Sequence, residues 1–560
     1  MFVKSGWRKY KGKIYYHYHV AESYRENGRV RTRRLINISS LPQHAIEAIR
    51  ESLRAGKALI GVDKVKVRTG DALRGAGLLA IAKAWQQEGL HRVLAALTGA
   101  EQQSTLAMVA QRIIKPGSKL SLKKQFADTV LAQIFSRKRL DEDELYRVMD
   151  KLHEQFYSIQ ERLRARRQAA PVLCLYDITS TYFEGTKAED GEYGHSRDKR
   201  WDRHQIVIGL VCDEEGVPLA IEVWPGNTAD RSTVAERVTS LKKQFNIEKA
   251  IFVGDAGMYS EANIEKLEKN GFDYILATEW HTQRQQLEAL KPCQLQLFDQ
   301  QGVAEWNDDT ARYVGCVSEL KKARAARRRE EGMQEARENL MTLASTSARG
   351  RYYSWVRLRE KANDILEAAE VEGLWKVEIA FAPGEEGSPE DKRRLCLSFW
   401  PNDDAIARRA ALEGKYVLRT SLTSTQYPPE EVDRQYRRLQ LAERAFRHIK
   451  SYLKVRPIFH YLRRRIRAHV LICFLGFYLV KRMELGLRAA GETRDVEPLL
   501  QYWDKLCLVQ HRVQVEEYVR EDWQWSLGEI GQGIQAQIQA LGWWQAIDAY
   551  RRRLGNTLTG

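Results

Sequence analysis

Hydrophobic and polar positions change period several times along the chain. From Lys13 to Val20, and again from Val30 to Ile36, aromatic and β-branched residues crowd together. Glu26-Asn27-Gly28 between them supplies hairpin turn chemistry. This predicts a small β unit over residues 1 to about 65. From Gly70 to Arg167 apolar residues recur at helical spacing, as in Ala72 to Gln87 and Leu140 to Leu163, with Pro116-Gly117-Ser118 as punctuation. That stretch shows no clean helix-turn-helix spacing. At Pro171 the order changes. Val172 to Tyr176 reads as a short buried strand ending at Asp177. Gln205 to Cys212 and Val217 to Trp224 read as two more strands, Arg231 to Phe245 as a helix, and Ala250 to Val253 as a buried strand ending at Gly254-Asp255. A helix from Ser260 to Asn270 and a strand from Phe272 to Ala277 follow. The succession is three strands in hairpin sequence, then helix, strand, helix, strand.

Residues 281 to 427 interrupt this series. They hold a basic helical stretch, Leu320 to Leu343, then strand-like runs at Trp375 to Ala382, Leu395 to Trp400 and Tyr416 to Leu422. After Pro428-Pro429 one long helix is expected from about Glu430 to Leu453, and another from Tyr461 to Glu484. The tail from Asp495 reads as helical and carries five Trp, including Trp543-Trp544. The longest apolar run, Val470 to Val480, is about half of what a membrane span requires and reads as a buried core helix.

Composition narrows the function. The 560 residues hold 90 Lys and Arg against 74 Asp and Glu, a net charge of +16. Such an excess points to a polyanionic partner, most often nucleic acid. The 43% hydrophobic content excludes global disorder. Seven cysteines include no C-x-x-C pair, so free thiols are expected and not a zinc site or disulfide framework. With no apolar leader at Met1 to Arg8, the expectation is a cytoplasmic protein without membrane contact.

Three acids stand out by position. Asp177 and Asp255 each close an apolar strand. Glu443 is the single acid among twelve Lys and Arg between Arg434 and Arg467. On a continuous helix Tyr436, Glu443 and Lys450, seven apart, would share one face with Arg447. An Asp at a strand end is as often a turn or helix cap, and a lone Glu usually pairs with a neighbour such as Arg444 or Arg447. Together, on strand, strand and helix, they make a hard oxygen site suited to two Mg²⁺ or Mn²⁺ ions. Arg447 and Lys450 would hold phosphates.

These residues lie in six ordered motifs. They are Leu175-Tyr176-Asp177-Ile178-Thr179-Ser180-Thr181-Tyr182-Phe183-Glu184-Gly185, Gly194-His195-Ser196-Arg197-Asp198, Gly226-Asn227-Thr228-Ala229-Asp230 and Val253-Gly254-Asp255-Ala256-Gly257-Met258. Ala442-Glu443-Arg444-Ala445-Phe446-Arg447-His448-Ile449-Lys450 follows, then Arg456-Pro457-Ile458-Phe459-His460 with Arg465-Ile466-Arg467-Ala468-His469. On them the chain resembles a DDE transposase of the insertion-sequence-four superfamily, in its sixteen-thirty-four-type branch. The resemblance implies Asp177, Asp255 and Glu443 as catalytic metal ligands, double-stranded DNA as partner, and a homodimer when element ends are bound. Taken with the patterns above, the expected fold is multidomain α/β: a ribonuclease-H-like catalytic core with an inserted α+β domain, N-terminal β and helical domains, and a helical C-terminal tail. The expected boundaries are 1–68 (β), 69–166 (helical), 167–280 (core), 281–427 (insertion), 428–486 (final core helices) and 487–560 (tail). The superfamily signature runs Tyr, two residues, Arg, three residues, Glu, six residues, Lys. Tyr436, Glu443 and Lys450 fit it, but Leu439 holds the Arg position and Arg438 stands beside it. Tyr436, Arg438, Arg447, Lys450 and Lys454 are the expected DNA contacts.

Weaker features have plainer readings. Asp230 fits a helix cap, His204 and Gln205 a strand edge, and Trp280, Trp355 and Trp375 core packing or base stacking. The Arg327-Arg328-Arg329 run is either a DNA-tracking or a solvated face. Two rivals stand against a transposase. A haloacid-dehalogenase-like phosphatase would need a second Asp where Thr179 stands. A catalytically inactive, transposase-derived DNA-binding protein would keep the charge without the chemistry.

Overall fold

Alternating aromatic and β-branched residues between Phe2 and Asn37 fold into an antiparallel meander of Phe2–Tyr10 (β1), Lys13–Glu26 (β2) and Arg29–Asn37 (β3). β1 is an addition to the expected hairpin. The helix Gln43–Ala55 closes the meander over Val20, Ile38, Leu41, Ala45 and Ile46. This computed structural model describes residues 1–11, 13–26, 29–55, 65–167, 172–229, 250–288, 302–308, 311–350, 352–504, 507–515 and 518–526. The expected helix from Arg231 to Phe245, Asp230 and Trp543-Trp544 lie outside these residues. The chain divides into two units, one of Met1–Ala170, Ile178–Thr228 and Leu441–Gly560, the other of Pro171–Asp177 and Ala229–Gln440.

In the first unit Val65–Arg74 (β4) is a strand whose second half, from Gly70, falls where helical spacing was expected. It pairs antiparallel with Cys507–Val515, which pairs in turn with Tyr518–Ser526. Among the described residues the tail is therefore helical over Val496–Asp504 and strand over Cys507–Val515 and Tyr518–Ser526, where a helical tail was expected. Pairing between segments more than 400 residues apart overrode the local signal. The helical region is otherwise as its spacing predicts. Gly99–Ile114 starts in a capping box in which Thr98 and Glu101 exchange side chain-to-backbone bonds. The helix Arg463–Ala489 buries all of Val470–Phe477 and packs against Gly99–Ile114 and Glu142–Glu154. No helix among the described residues is long and apolar enough to cross a membrane.

Leu173–Tyr182 (β5) is ten residues long and runs past Asp177, which sits mid-strand and not at the strand end. The antiparallel hairpin Gln205–Cys212 (β6) and Pro218–Pro225 (β7) neighbours β5, with β6 buried throughout. In the second unit Ile251–Gly254 (β8) and Asp273–Ala277 (β9) run parallel to the first half of β5. Val303–Asn307 (β10), Arg312–Val317 (β11), Trp375–Phe381 (β12), Leu395–Pro401 (β13) and Lys415–Thr420 (β14) follow. β14, β11 and β10 extend this sheet beyond β9 in that order, so three strands between residues 281 and 427 continue the sheet. β12 and β13 form a separate hairpin under the helices Glu319–Arg349 and Trp355–Ala368. Trp375 and Trp355 pack there, with Trp355 Nε1 donating to the Ile379 carbonyl at 3.1 Å, so both belong to a core.

A buried cationic cluster in the first unit has a consequence for stability. Lys119 is 3% exposed and Arg112 8%, the His460 and His469 rings lie 5.4 Å apart, and Lys119 meets no carboxylate among the described residues. Burial, aided by Arg112, pulls the Lys119 ammonium down to about 7 from its usual 10.5. Burial likewise brings His460 down to about 3, with Lys119 and Arg112 adding to it. Both groups are lowered bases, so the unfolded chain binds the extra protons and stability rises with pH. The Lys119 contribution grows from about pH 7 to 10.5, and the His460 contribution from about pH 3 to 6.5. Thermal melts between pH 7 and 10 are expected to show a rising midpoint. Lys119→Met is expected to raise the midpoint at pH 7 and flatten that slope; an unchanged slope would show that Lys119 stays charged.

Candidate active site

The two aspartates are positioned by strand register. β5 and β8 pair as Leu173 with Ile251, Cys174 with Phe252 and Leu175 with Val253, a constant offset of 78 residues. The same offset separates Asp177 from Asp255. The backbone of Asp255 is still extended, at φ −81° and ψ 178°, so it prolongs the line of β8. Partners in adjoining parallel strands sit roughly 4.8 Å apart and project to the same face. Buried apolar side chains precede both acids, and the side chains of Asp177 and Asp255 are the first in each run to be partly exposed. A 3₁₀ turn at Ala256–Met258 and the helix Glu261–Lys269, capped by Ser260, then carry the chain away. Two carboxylates so placed are a hard oxygen pair that fits a divalent cation.

Glu443 belongs to the other unit. The expected single helix is two, Pro429–Arg437 and Leu439–Ser451, broken at Arg438. Tyr436 therefore does not share a helix with Glu443 and Lys450. The break falls next to the unit boundary after Gln440, and the first helix is fixed by Asp433, which accepts from Tyr416 at 2.5 Å and from Arg437 at 2.7 Å. Tyr436 is half-buried beside the Tyr416 ring at 5.6 Å, and Arg438 is half-buried. Glu443 and Arg447 are exposed, and neither makes an ion pair among the described residues. The expected surface pair with Arg444 or Arg447 is thus not formed. Among the described residues no three His, Cys, Asp or Glu side chains group as a metal site.

Lys450 is not a free surface cation. Its side chain is 9% exposed, and its ammonium donates to Asp198 Oδ1 at 2.8 Å. Burial pulls its pKa down, and the bond to Asp198 opposes that. Arg456 also pairs with Asp198 Oδ1. Lys454 is exposed, and its carbonyl accepts from Arg112 at 3.2 Å. The arginines of the 327–329 run are each paired: Arg327 with Glu331 at 2.7 Å, Arg328 with Glu370 at 2.5 Å, and Arg329 with Glu413 at 2.8 Å.

Most of the sequence motifs meet one another in the first unit. Ser180 of β5 accepts from the Arg197 backbone at 3.0 Å, and Ile458 exchanges backbone bonds with Tyr182 and Glu184 at the end of β5. Arg467 donates to Glu222 at 2.7 Å and Tyr157 at 2.8 Å. Gln205 is buried and donates to the Gly226 carbonyl at 3.2 Å, while the Tyr193 ring stands edge-on to His204. The partnership of Asp198 and Arg456 was not legible: both lie in motifs, but nothing in their spacing links them.

The family model for the transposase DDE domain matches residues 168–479, more than half of the chain. That for the N-terminal domain of IS1634 family transposases matches residues 4–59. No curated protein matches. Among solved structures, the cryo-EM structure of a piggyBac transposase synaptic complex with hairpin DNA is similar at 9% identity. It covers 78% of this chain and 82% of that one, with a TM-score of 0.35.

The meeting of motifs depends on two glycines. A Cβ at Gly194 would strike the Gly226 carbonyl, and one at Gly226 would strike the carbonyls of Gln205 and Glu192. These are backbone atoms and cannot swing aside. Gly226→Ala is expected to destabilise the chain by about 1–3 kcal/mol, as overpacking does. Chemical denaturation measures it, and an unshifted midpoint would refute the close approach.

Proposed function

The chain belongs to the DDE transposase family, in its IS1634 branch, and from that premise we propose that it cuts double-stranded DNA at the ends of a mobile element and joins the freed 3′-OH ends to target DNA. Water is the first nucleophile and the 3′-OH the second. One observation carries the reading: the register of β5 with β8, continued two residues beyond Leu175 and Val253 along extended backbone, would set Asp177 beside Asp255. They would hold the catalytic ions, Mg²⁺ or Mn²⁺, with Glu443 as the third carboxylate. Divalent ions held by these carboxylates would supply charge stabilisation for the displacement at a phosphodiester.

The remaining groups bind and orient. Exposed Arg447, one turn beyond Glu443, would hold a backbone phosphate. The net charge of +16 supplies sequence-independent affinity that falls steeply with salt. The strand arrangement, with β6 and β7 as an antiparallel hairpin and β8 and β9 running parallel to β5, supports a ribonuclease-H-like core.

Asp177→Ala, Asp255→Ala and Glu443→Ala are each expected to abolish strand cleavage while DNA binding stays within about twofold. Near-wild-type cleavage by any of them removes that residue from the site. Millimolar Mn²⁺ is expected to raise the thermal midpoint of the wild type, and to do so less in the two aspartate variants, because a ligand stabilises only the state that binds it.

A further inference from the structure

The motif Gly194-His195-Ser196-Arg197-Asp198 has no role in the chemistry above, yet its acid is built into the protein with unusual economy. The Asp198 side chain is 6% exposed. Its Oδ1 takes both Lys450, at 2.8 Å, and Arg456, while its Oδ2 is buried without a hydrogen-bond partner. Two cations against one carboxylate leave an excess positive charge in a site that is mostly closed to water. Arg456, 28% exposed, is its open side. The backbone on each side is fixed as well: Arg197 N donates to Ser180 Oγ at 3.0 Å, and Arg200 N donates to Ser196 Oγ at 2.9 Å. Lys450 lies on the helix of Glu443, about 10 Å further along its axis.

We propose that Asp198 is a positioning residue that holds Lys450 and Arg456 as a fixed pair, and that this pair receives one phosphate of the DNA backbone beside the scissile one. The inference rests on the transposase reading. A flexible lysine would have to be ordered when DNA arrives; a lysine already held by a buried carboxylate does not, so the ordering cost is met in folding and the contact is aligned when the bond breaks. The excess charge is what the phosphate neutralises. Because both cations converge on one oxygen, removing the carboxylate charge frees them both. The same carboxylate ties the Gly194–Asp198 motif to the helix of Glu443.

The test uses the full chain with Mg²⁺ and a duplex taken from the DNA flanking its coding sequence, with single backbone phosphates replaced by neutral methylphosphonates. In the wild type one replacement near the cut is expected to slow cleavage at least about tenfold. In Asp198→Asn cleavage on the unmodified duplex is expected to fall by a similar factor at saturating DNA, with KM within about twofold, and the methylphosphonate is expected to have no further effect. Asp198→Glu is expected to recover part of both. A merely structural role would lower activity and leave the methylphosphonate effect intact, which would overturn the proposal. Should Asp198→Asn fail to fold, Arg456→Gln gives the same reading, since it removes the open-side cation alone. Wild-type cleavage that is lost in Asp177→Ala establishes the underlying reading independently. If the wild type does not cut, that reading falls and the proposal with it; if it cuts and Asp198→Asn cuts equally well, only the proposal falls.

Discussion

The candidate chemistry depends on the pairing of β5 with β8. The paired stretches Leu173–Leu175 and Ile251–Val253 are apolar and buried, so their register is set by packing and by the ladder; a slip by one residue would turn the side chains to the opposite face. Continued two residues further, that register would set Asp177 opposite Asp255. Two like charges a strand spacing apart repel, and they are stable together only where a cation or a proton relieves them. The sheet provides the rigidity: β9, β14, β11 and β10 continue from β8. Asp255 is held at the end of a strand with neighbours on both sides.

Charge is distributed differently in the first unit. Several of its arginines are committed: Arg467 to Glu222, Arg464 and Arg465 to Asp150, Arg463 to Asp190, and Arg137 to Glu144. A high count of basic residues is therefore a poor guide to the DNA-facing surface. Exposed Glu443 and Arg447, which lack ion pairs among the described residues, differ from that pattern, and so does the doubly paired Asp198. Partly buried pairs also resist screening by salt better than surface ones.

How much of this was legible follows from what each signal depends on. β6 was read to the residue because an apolar run bounded by turn chemistry is a local signal. β8 and β9 were read to within a residue for the same reason. Asp177 and Asp255 stood out because an acid interrupts such a run. The extent of β5 was missed, since Ile178 to Tyr182 is rich in Thr and Ser and looks like a loop until it is paired. The strands Val65–Arg74 and Cys507–Val515 pair across most of the chain, which no local window contains. The break at Arg438 has neither Pro nor Gly to announce it and lies beside a unit boundary. Lys450 looked like an exposed helix cation because its partner, Asp198, is 252 residues away.

The central claim is that Asp177, Asp255 and Glu443 serve one metal site, and Fe²⁺ can report on it directly. With Fe²⁺ in place of Mg²⁺ on the DNA-bound chain, ascorbate and peroxide generate hydroxyl radicals at the ion, which cut the nearest backbone. The account predicts three cut clusters, around residues 177, 255 and 443, all suppressed by excess Mg²⁺. Cuts around 177 and 255 without any near 443 would contradict it.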